Sequence, residues 1–361
     1  MTYITSIGTS VPKHNLSQRE VKAFIKNTFK RPEREIERLL PVFDHANISN
    51  RQFVVDKDWF TKDHSFQERN RIYLEKSIEH SLAAIDTCLT SEDFLKQSIP
   101  YEAIDMIIFV SSTGISTPSI DAHLLNKRNF RNDVVRMPIW GLGCGGGVNG
   151  VARGHDWLTA HPKSVVLLVG VEFCGLTFQK NDHKKSNFIG TALFGDGVSA
   201  TLLIGNESKY LENRKGTSPK VLTSSTWLKK AATDVMGWDI TNNGFEVIFA
   251  KGIPALVKTF WSEHVSAFLK DMNWDKEELP FYVAHPGGKK VLEAMEEVLN
   301  ITPERLYYSY ETLQNHGNMS SVTVLYILKE WMKERITKGE KSILSALGPG
   351  FSSELISLEW A

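Results

Sequence analysis

Hydrophobic and polar positions along the chain fall into two kinds of run, and the two kinds alternate. Tyr3 to Ile7, Ala103 to Val110, Val134 to Trp140, Val165 to Val171 and Val198 to Ile204 are short apolar runs. Runs of that length and character predict strands, and the continuously apolar ones predict buried parallel strands. Between them lie stretches with helical spacing: Ser17 to Phe29, Pro32 to Phe43, Ser65 to Leu89, Ser119 to Lys127 and Val148 to Leu158. In the Ser65 stretch, Ile72, Leu74, Ile78, Leu82 and Ile85 form the stripe expected to face the core, with Cys88 continuing it. Gln179 to Ser186 is polar and reads as a loop.

After a polar join, Gly205 to Lys220, the alternation resumes. A helix is expected from Gly252 to Met272, a strand from Phe281 to Ala284 and a helix from Lys289 to Leu299. Asn318 opens a further helix whose buried side carries Val322, Leu325, Ile327, Leu328 and Trp331. Ser342 to Leu347 and Glu354 to Leu358 predict a hairpin around Gly348-Pro349-Gly350. Strands alternating with helices predict an α/β fold. The join divides the chain into halves at 1–215 and 216–361.

Composition narrows the picture. A chain of 361 residues is long enough for two domain-sized halves and an enzyme-sized core. Lys+Arg and Asp+Glu are both 42, so nothing calls for nucleic acid or an anionic membrane, although a local basic patch for a phosphorylated ligand stays open. The N-terminus lacks a basic region followed by an apolar core, and no apolar run is long enough to span a bilayer. Three cysteines, Cys88, Cys144 and Cys174, make no disulfide scaffold and have no metal-ligand spacing. A reducing cytoplasm and no metal are the expectation.

Candidate chemistry gathers at Gly141 to Gly150, where a strand meets a helix around Cys144. Three readings are open there. Cys144 is a small buried residue in a tight turn. Or Gly141, Gly143 and Gly146 form a dinucleotide loop, with Glu172 holding a ribose hydroxyl. Or the turn is an elbow presenting a nucleophile, where free N–H groups and the helix dipole favour a thiolate. A nucleophilic cysteine needs a base and a carbonyl-polarising group. Of 11 histidines, His285 alone closes an apolar strand and is followed by Pro-Gly-Gly and a helix, at the sheet edge where open α/β folds bind ligands. His155 and His161 are expected at the surface. His316 has no strand before it and ranks below His285. Asn318, in Gly317-Asn318-Met319-Ser320-Ser321, is either a helix cap or a side-chain amide donor.

Gly143-Cys144 with its glycines, His285-Pro286-Gly287-Gly288, Gly317-Asn318-Met319-Ser320-Ser321, Gly348-Pro349-Gly350-Phe351 and Leu193-Phe194-Gly195-Asp196-Gly197 occur together in an order that resembles the type III polyketide synthases, the chalcone synthase-like family. The likeness runs from about Tyr3 to about Leu358 and is similar to the bacterial alkylpyrone synthases of Bacillus type. It implies a thiolase-like fold: two stacked βαβ-rich halves in an α/β/α/β/α arrangement, usually a homodimer. It implies Cys144 as the nucleophile, ion-paired with His285. His285 and Asn318 would hold the malonyl thioester carbonyl. The substrates implied are malonyl-CoA and a fatty acyl-CoA, with no cofactor, and the products alkylpyrones or alkylresorcinols. By the same resemblance, Phe194 matches a gatekeeping position, Thr177 and Ser320 match cavity-lining positions, Glu172 lies near the cavity and Cys174 lines the acyl pocket or is inert. Val247 stands where plant members carry a second gatekeeping phenylalanine, so a longer acyl chain is expected to fit. Of the basic cluster that grips coenzyme A in plant members only Arg51 is matched, with Lys289 and Lys290 as substitutes. The alternatives are a ketoacyl synthase of fatty-acid initiation, a nucleotide-binding oxidoreductase and a non-catalytic acyl-binding protein.

Overall fold

The computed structural model describes residues 1–29, 32–250 and 252–361. The first half runs β1 (Thr2–Ser10), β2 (His14–Ser17), α1 (Gln18–Thr28), α2 (Glu33–Leu39), α3 (Pro41–His45), β3 (Asn50–Phe53), α4 (Phe66–Leu89), β4 (Met106–Ser111), α5 (Ile120–Leu125), β5 (Val135–Trp140), α6 (Gly146–Ala160), β6 (Val165–Phe173), α7 (Lys185–Leu193) and β7 (Asp196–Gly205). Ser17 and Ser65 start α1 and α4 with capping boxes closed by Glu20 and Glu68. The single helix expected from Pro32 to Phe43 is two, because Pro41 has no N–H to continue α2 and instead opens α3.

Helix α4 buries the end of the expected stripe, Ile85 and Cys88, and a row of small residues beside the rest of it. Tyr73, Ser77, Ser81, Ala84, Ile85 and Cys88 are buried, whereas Ile72, Leu74, Ile78 and Leu82 are partly exposed. Small residues win that face because α4 lies tight on β1. A Cβ at Gly8 would stand 2.2 Å from the Ala84 carbonyl oxygen, and Ser6 Oγ donates to the Cys88 carbonyl at 2.7 Å.

The second half runs β8 (Pro219–Leu228), β9 (Met236–Thr241), β10 (Gly244–Phe249), α8 (Ile253–Leu256), α9 (Ser262–Met272), β11 (Phe281–Ala284), α10 (Lys289–Leu299), α11 (Tyr307–His316), α12 (Thr323–Lys333), β12 (Lys341–Gly348) and β13 (Ser352–Trp360). The helix expected over Gly252 to Met272 is continuous but carries a π turn at Val257–Trp261. The β12–β13 hairpin forms around Gly348 to Phe351.

One sheet of nine strands has the order β11-β12-β13-β8-β1-β7-β6-β4-β5. Its two parts repeat one pairing scheme. In the first, β1–β7 and β7–β6 are antiparallel and β6–β4 is parallel. In the second, β8–β13 and β13–β12 are antiparallel and β12–β11 is parallel. Among the described residues the ladder between the parts pairs Thr2 with Val221 and Tyr3 with Lys220. Helix α6 packs on β4, β6 and β7 of one part and β12 and β13 of the other, with α12 beside it, so helices fill the space between two sheet layers. Helix α4 covers β1 and β7 outside, and α9 covers β13. That layering places the ends of β5, β11 and α11 around one cavity.

Candidate active site

Cys144 sits in a 3-10 turn, Gly143–Gly145, that feeds α6. The flanking glycines serve contact between the halves. Gly143 has φ +43°, and a Cβ there would lie 2.7 Å from Pro349. A Cβ on Gly147 would lie 2.1 Å from the Ser321 carbonyl oxygen. Of the three glycines of the dinucleotide-loop reading, Gly143 and Gly146 face Pro349 and Val110, and Glu172 is 0% exposed with its carboxylate bonded to Ser112 and Ser321, so that reading falls.

His285 ends β11, its N–H donating to the Ser345 carbonyl at 2.8 Å. The ring is 3% exposed and neither nitrogen has a protein partner. Asn318 is fixed on both sides of its backbone: its N–H donates to Leu193, and its carbonyl accepts from Gly195 at 3.0 Å. Its Oδ1 accepts from the Ser320 N–H at 2.8 Å and from the Cys144 thiol at 3.9 Å. Its Nδ2 is buried without a partner. Cys144, His285, Asn318 and Ser320 all line one cavity of about 560 Å³.

Burial works against each charge taken alone. It pushes the Cys144 thiol up to about 12 and the His285 imidazole down to about 3. No hydrogen bond joins the two among the described residues. One proton moved from sulfur to imidazole makes both charges together, and each then offsets the other's desolvation. Burial also pushes Glu172 up to about 7, which the hydrogen bonds from Ser321, Ser112 and Thr113 oppose. Glu172 touches Ser321, beside Ser320, and does not line the cavity.

Phe194 and Val247 form a partition. Both line the 560 Å³ cavity and also a narrow cleft of about 50 Å³ beyond it. Cys174 and Thr177 line the cleft and not the Cys144 cavity, with Thr177 Oγ1 donating to the Cys174 carbonyl. Burial raises the Cys174 thiol well above its usual range. The cleft is walled by Val21, Phe24, Phe53, Phe60 and Phe178, and exposed Glu20 and Lys57 also line it.

Arg51 corrects the expectation of a coenzyme A contact. It is 1% exposed, and its guanidinium donates to the Thr191 and Phe194 carbonyls and to Gln18 Oε1. The cavity mouth carries other basic side chains, Arg38, His45, Lys185, Lys289 and Lys290, and among the described residues no Asp or Glu lines it. Lys289 is 3.5 Å from Glu293. Two helix N-termini, those of α7 and α10, open there with neither a side-chain cap nor an acid in the first turn, an environment that favours anions. Arg38 and His45 were hidden in a charged stretch that reads as a solvated face. Their spacing with Val42, every three to four residues, is the signal that places all three on one side. Among the described residues no His/Cys/Asp/Glu cluster is arranged to hold a metal, and no helix is long and apolar enough to cross a membrane.

Residues 1–208 match the N-terminal domain of chalcone and stilbene synthases, and residues 221–359 match the C-terminal domain. A Bacillus subtilis (strain 168) protein named for chalcone synthase is 43% identical over 100% of this chain and 99% of its own. A 1,3,6,8-tetrahydroxynaphthalene synthase of Streptomyces peucetius subsp. caesius is 30% identical, covering 99% of this chain and 93% of its own. The crystal structure of the tetrahydroxynaphthalene synthase from Streptomyces coelicolor A3(2), a bacterial type III polyketide synthase, superimposes with a TM-score of 0.89 at 26% identity over 99% of both chains. With this fold, this match over both halves and a cysteine, a histidine and an asparagine in one cavity, the chain belongs to the chalcone and stilbene synthase family: it is an acyltransferase of the type III polyketide synthases, with their thiolase-like fold.

Proposed function

We propose that the protein condenses malonyl-CoA units, with loss of carbon dioxide, onto a long-chain fatty acyl-CoA starter, and releases an alkylpyrone or alkylresorcinol. The observation that carries this reading is the 560 Å³ chamber around Cys144, which has volume for a long acyl chain and is bounded at Val247 by a small side chain. The Streptomyces peucetius relative bears the name of a different product, so the starter is argued from this chain's own walls.

Cys144 Sγ attacks the starter thioester carbon as His285 takes its proton. The carbon–sulfur bond to coenzyme A breaks, and the thiol leaves with that proton. Malonyl-CoA then enters, and Asn318 Nδ2 and His285 donate to its thioester oxygen. The bond to the carboxylate breaks, carbon dioxide departs, and the electron pair becomes an enolate whose oxygen those two donors stabilise. One well-placed donor of this kind is worth about 10²–10³ in rate. The enolate carbon attacks the Cys144 thioester, a carbon–carbon bond forms, and the cysteine sulfur leaves. Return of the lengthened chain to Cys144 starts the next round. The basic mouth suits the phosphates of coenzyme A.

The working form proposed is a cytoplasmic homodimer. Strand β5 is an unpaired sheet edge, with Val135 45% and Trp140 49% exposed, which is a template for pairing with a second copy. The deciding experiment is mass spectrometry of products from purified protein, malonyl-CoA and acyl-CoA starters of increasing length. Alkylpyrones or alkylresorcinols from long starters support the reading. Turnover confined to aromatic starters overturns it.

A further inference from the structure

Arg51 is buried, and what surrounds its guanidinium is the end of α7. A helix leaves its last four carbonyls without partners inside it. In α7 these belong to Gly190, Thr191, Ala192 and Leu193. Gly190 accepts from the Phe194 N–H at 2.8 Å. Thr191 accepts from Arg51 at 2.6 Å, Ala192 from Gln18 Nε2 at 3.0 Å, and Leu193 from the Asn318 N–H at 2.8 Å. The Arg51 nitrogen that holds Thr191 also donates to the Phe194 carbonyl at 2.8 Å. Its other terminal nitrogen donates to Gln18 Oε1 at 2.7 Å, so the two side chains form one clamp. A cation fixed at a helix C-terminus also opposes the negative end of the dipole.

Asn318 passes through the same clamp. Phe194 and Asn318 form a parallel bridge, with one hydrogen bond from Asn318 to Leu193 and one from Gly195 to Asn318. The Arg51 stem packs against both strands of that bridge. A Cβ on Gly317 would stand 2.7 Å from Arg51 Cδ, and one on Gly195 would stand 3.5 Å from Arg51 Cβ. Phe194 and Asn318 line the Cys144 cavity, and Arg51 stands behind them on the cleft side.

We infer that Arg51 is a positioning residue: it clamps the end of α7 and, through the Phe194–Asn318 bridge, holds the Asn318 amide where the enolate oxygen forms. This deepens the malonyl-condensing reading and rests on it. Lysine keeps the charge but has no planar fork, so it cannot hold Thr191, Phe194 and Gln18 together. Without the fork, the 193–195 segment and Asn318 are free to shift as a unit, and a misplacement of about 1 Å can cost about 10²-fold in rate. The loss falls on the step that uses the Asn318 donor, and not on acylation, which uses Cys144 and His285.

The test is a cycle of wild type, Arg51→Lys, Asn318→Ala and the double variant, at a temperature where melting curves show each of them folded. Carbon dioxide release from radiolabelled malonyl-CoA is measured beside acylation of Cys144, read by intact mass. Arg51→Lys is expected to lower kcat for carbon dioxide release at least about 10-fold, with KM for malonyl-CoA within about threefold of wild type. Acylation should slow far less. In the Asn318→Ala background the same change should cost nothing further, because the donor it positions is gone. Unchanged release in Arg51→Lys, equal fractional losses in both backgrounds, or a raised KM with kcat unchanged each overturn the inference. If Arg51→Lys does not fold, Gln18→Leu, which removes the anchor of the guanidinium and the donor to Ala192, takes its place in the cycle with the same pattern expected. No starter is used, so failure of the fatty-starter reading leaves the result intact. If wild type releases no carbon dioxide, the condensing reading falls, and a crystal structure of Arg51→Lys decides: a broken Phe194–Asn318 bridge supports the clamp, and an unmoved Asn318 overturns it.

Discussion

The backbone N–H of Ser320 holds Oδ1 of Asn318 at 2.8 Å and leaves Nδ2 of the same amide without a protein partner. Ser320 reaches that position only with φ +50°, a conformation uncommon outside glycine. The strained residue orients the donor, so the amide needs no reorganisation when charge builds on a substrate oxygen.

Asn318→Asp should keep the bond from Ser320 and lose the donor. Carbon dioxide release from malonyl-CoA is expected to fall about 10²–10³-fold. Acylation of Cys144 by a starter thioester, read by intact mass, should change far less.

Cys144 and His285 should titrate as a unit, since burial opposes either charge by itself. Removing the imidazole in His285→Ala leaves the thiol with burial alone. Alkylation of Cys144 by iodoacetamide at pH 7 is then expected to slow at least about 10-fold. Equal rates in the two proteins would show that the imidazole does not assist the sulfur.

Acid should destabilise the fold through His264. Its ring is 1% exposed and bonds Ser353 Oγ at 2.7 Å and Ser225 Oγ at 2.9 Å, and burial pulls it from 6.5 down to about 4. A lowered folded value means that the unfolded chain binds the proton first. Its contribution is present above pH 6.5 and is lost as pH falls toward 4, by about 1.4 kcal/mol per pH unit at most. Glu172 and Asp196, both raised to about 7 by burial, act in the opposite direction over much of that range. Urea midpoints of wild type and His264→Gln between pH 7.5 and 5 isolate the histidine: the variant should lose stability less steeply.

Gly147→Ala should cost about 1–3 kcal/mol. The added methyl meets the Ser321 carbonyl oxygen at 2.1 Å, and a backbone atom cannot rotate away. Thermal unfolding measures the loss. Activity is expected to fall with it, because Ser321 is tied to Glu172 and is followed by the α12 segment that packs on α6.

Arg51→Met should lower the melting temperature without selectively raising KM for a coenzyme A thioester, since it strips donors from two part-buried carbonyls and from Gln18. Arg38→Ala should do the reverse, raising KM with little change in melting.

Alternation of apolar runs made the α/β class legible, and the residues at strand ends marked Cys144 and His285. Periodicity placed α4 and the end of its buried row but not the small residues beside it, because a serine that lets two backbones approach looks polar in a sequence. Pro41 was read through as part of one helix, and the charged residues around it masked the cavity side of α2 and α3. Arg51 misled for a simple reason: charge in a sequence does not reveal whether carbonyls or solvent will surround it.

The repeated strand scheme has a historical consequence. Cys144 belongs to one copy of the scheme, and His285 and Asn318 belong to the other, with the pairs Thr2–Val221 and Tyr3–Lys220 stitching the sheet copies together. A half-length ancestor with this strand order would have brought thiol, imidazole and carboxamide together only by meeting a second copy of itself. Joining the two copies in one polypeptide frees that encounter from dilution and lets each half carry its own task.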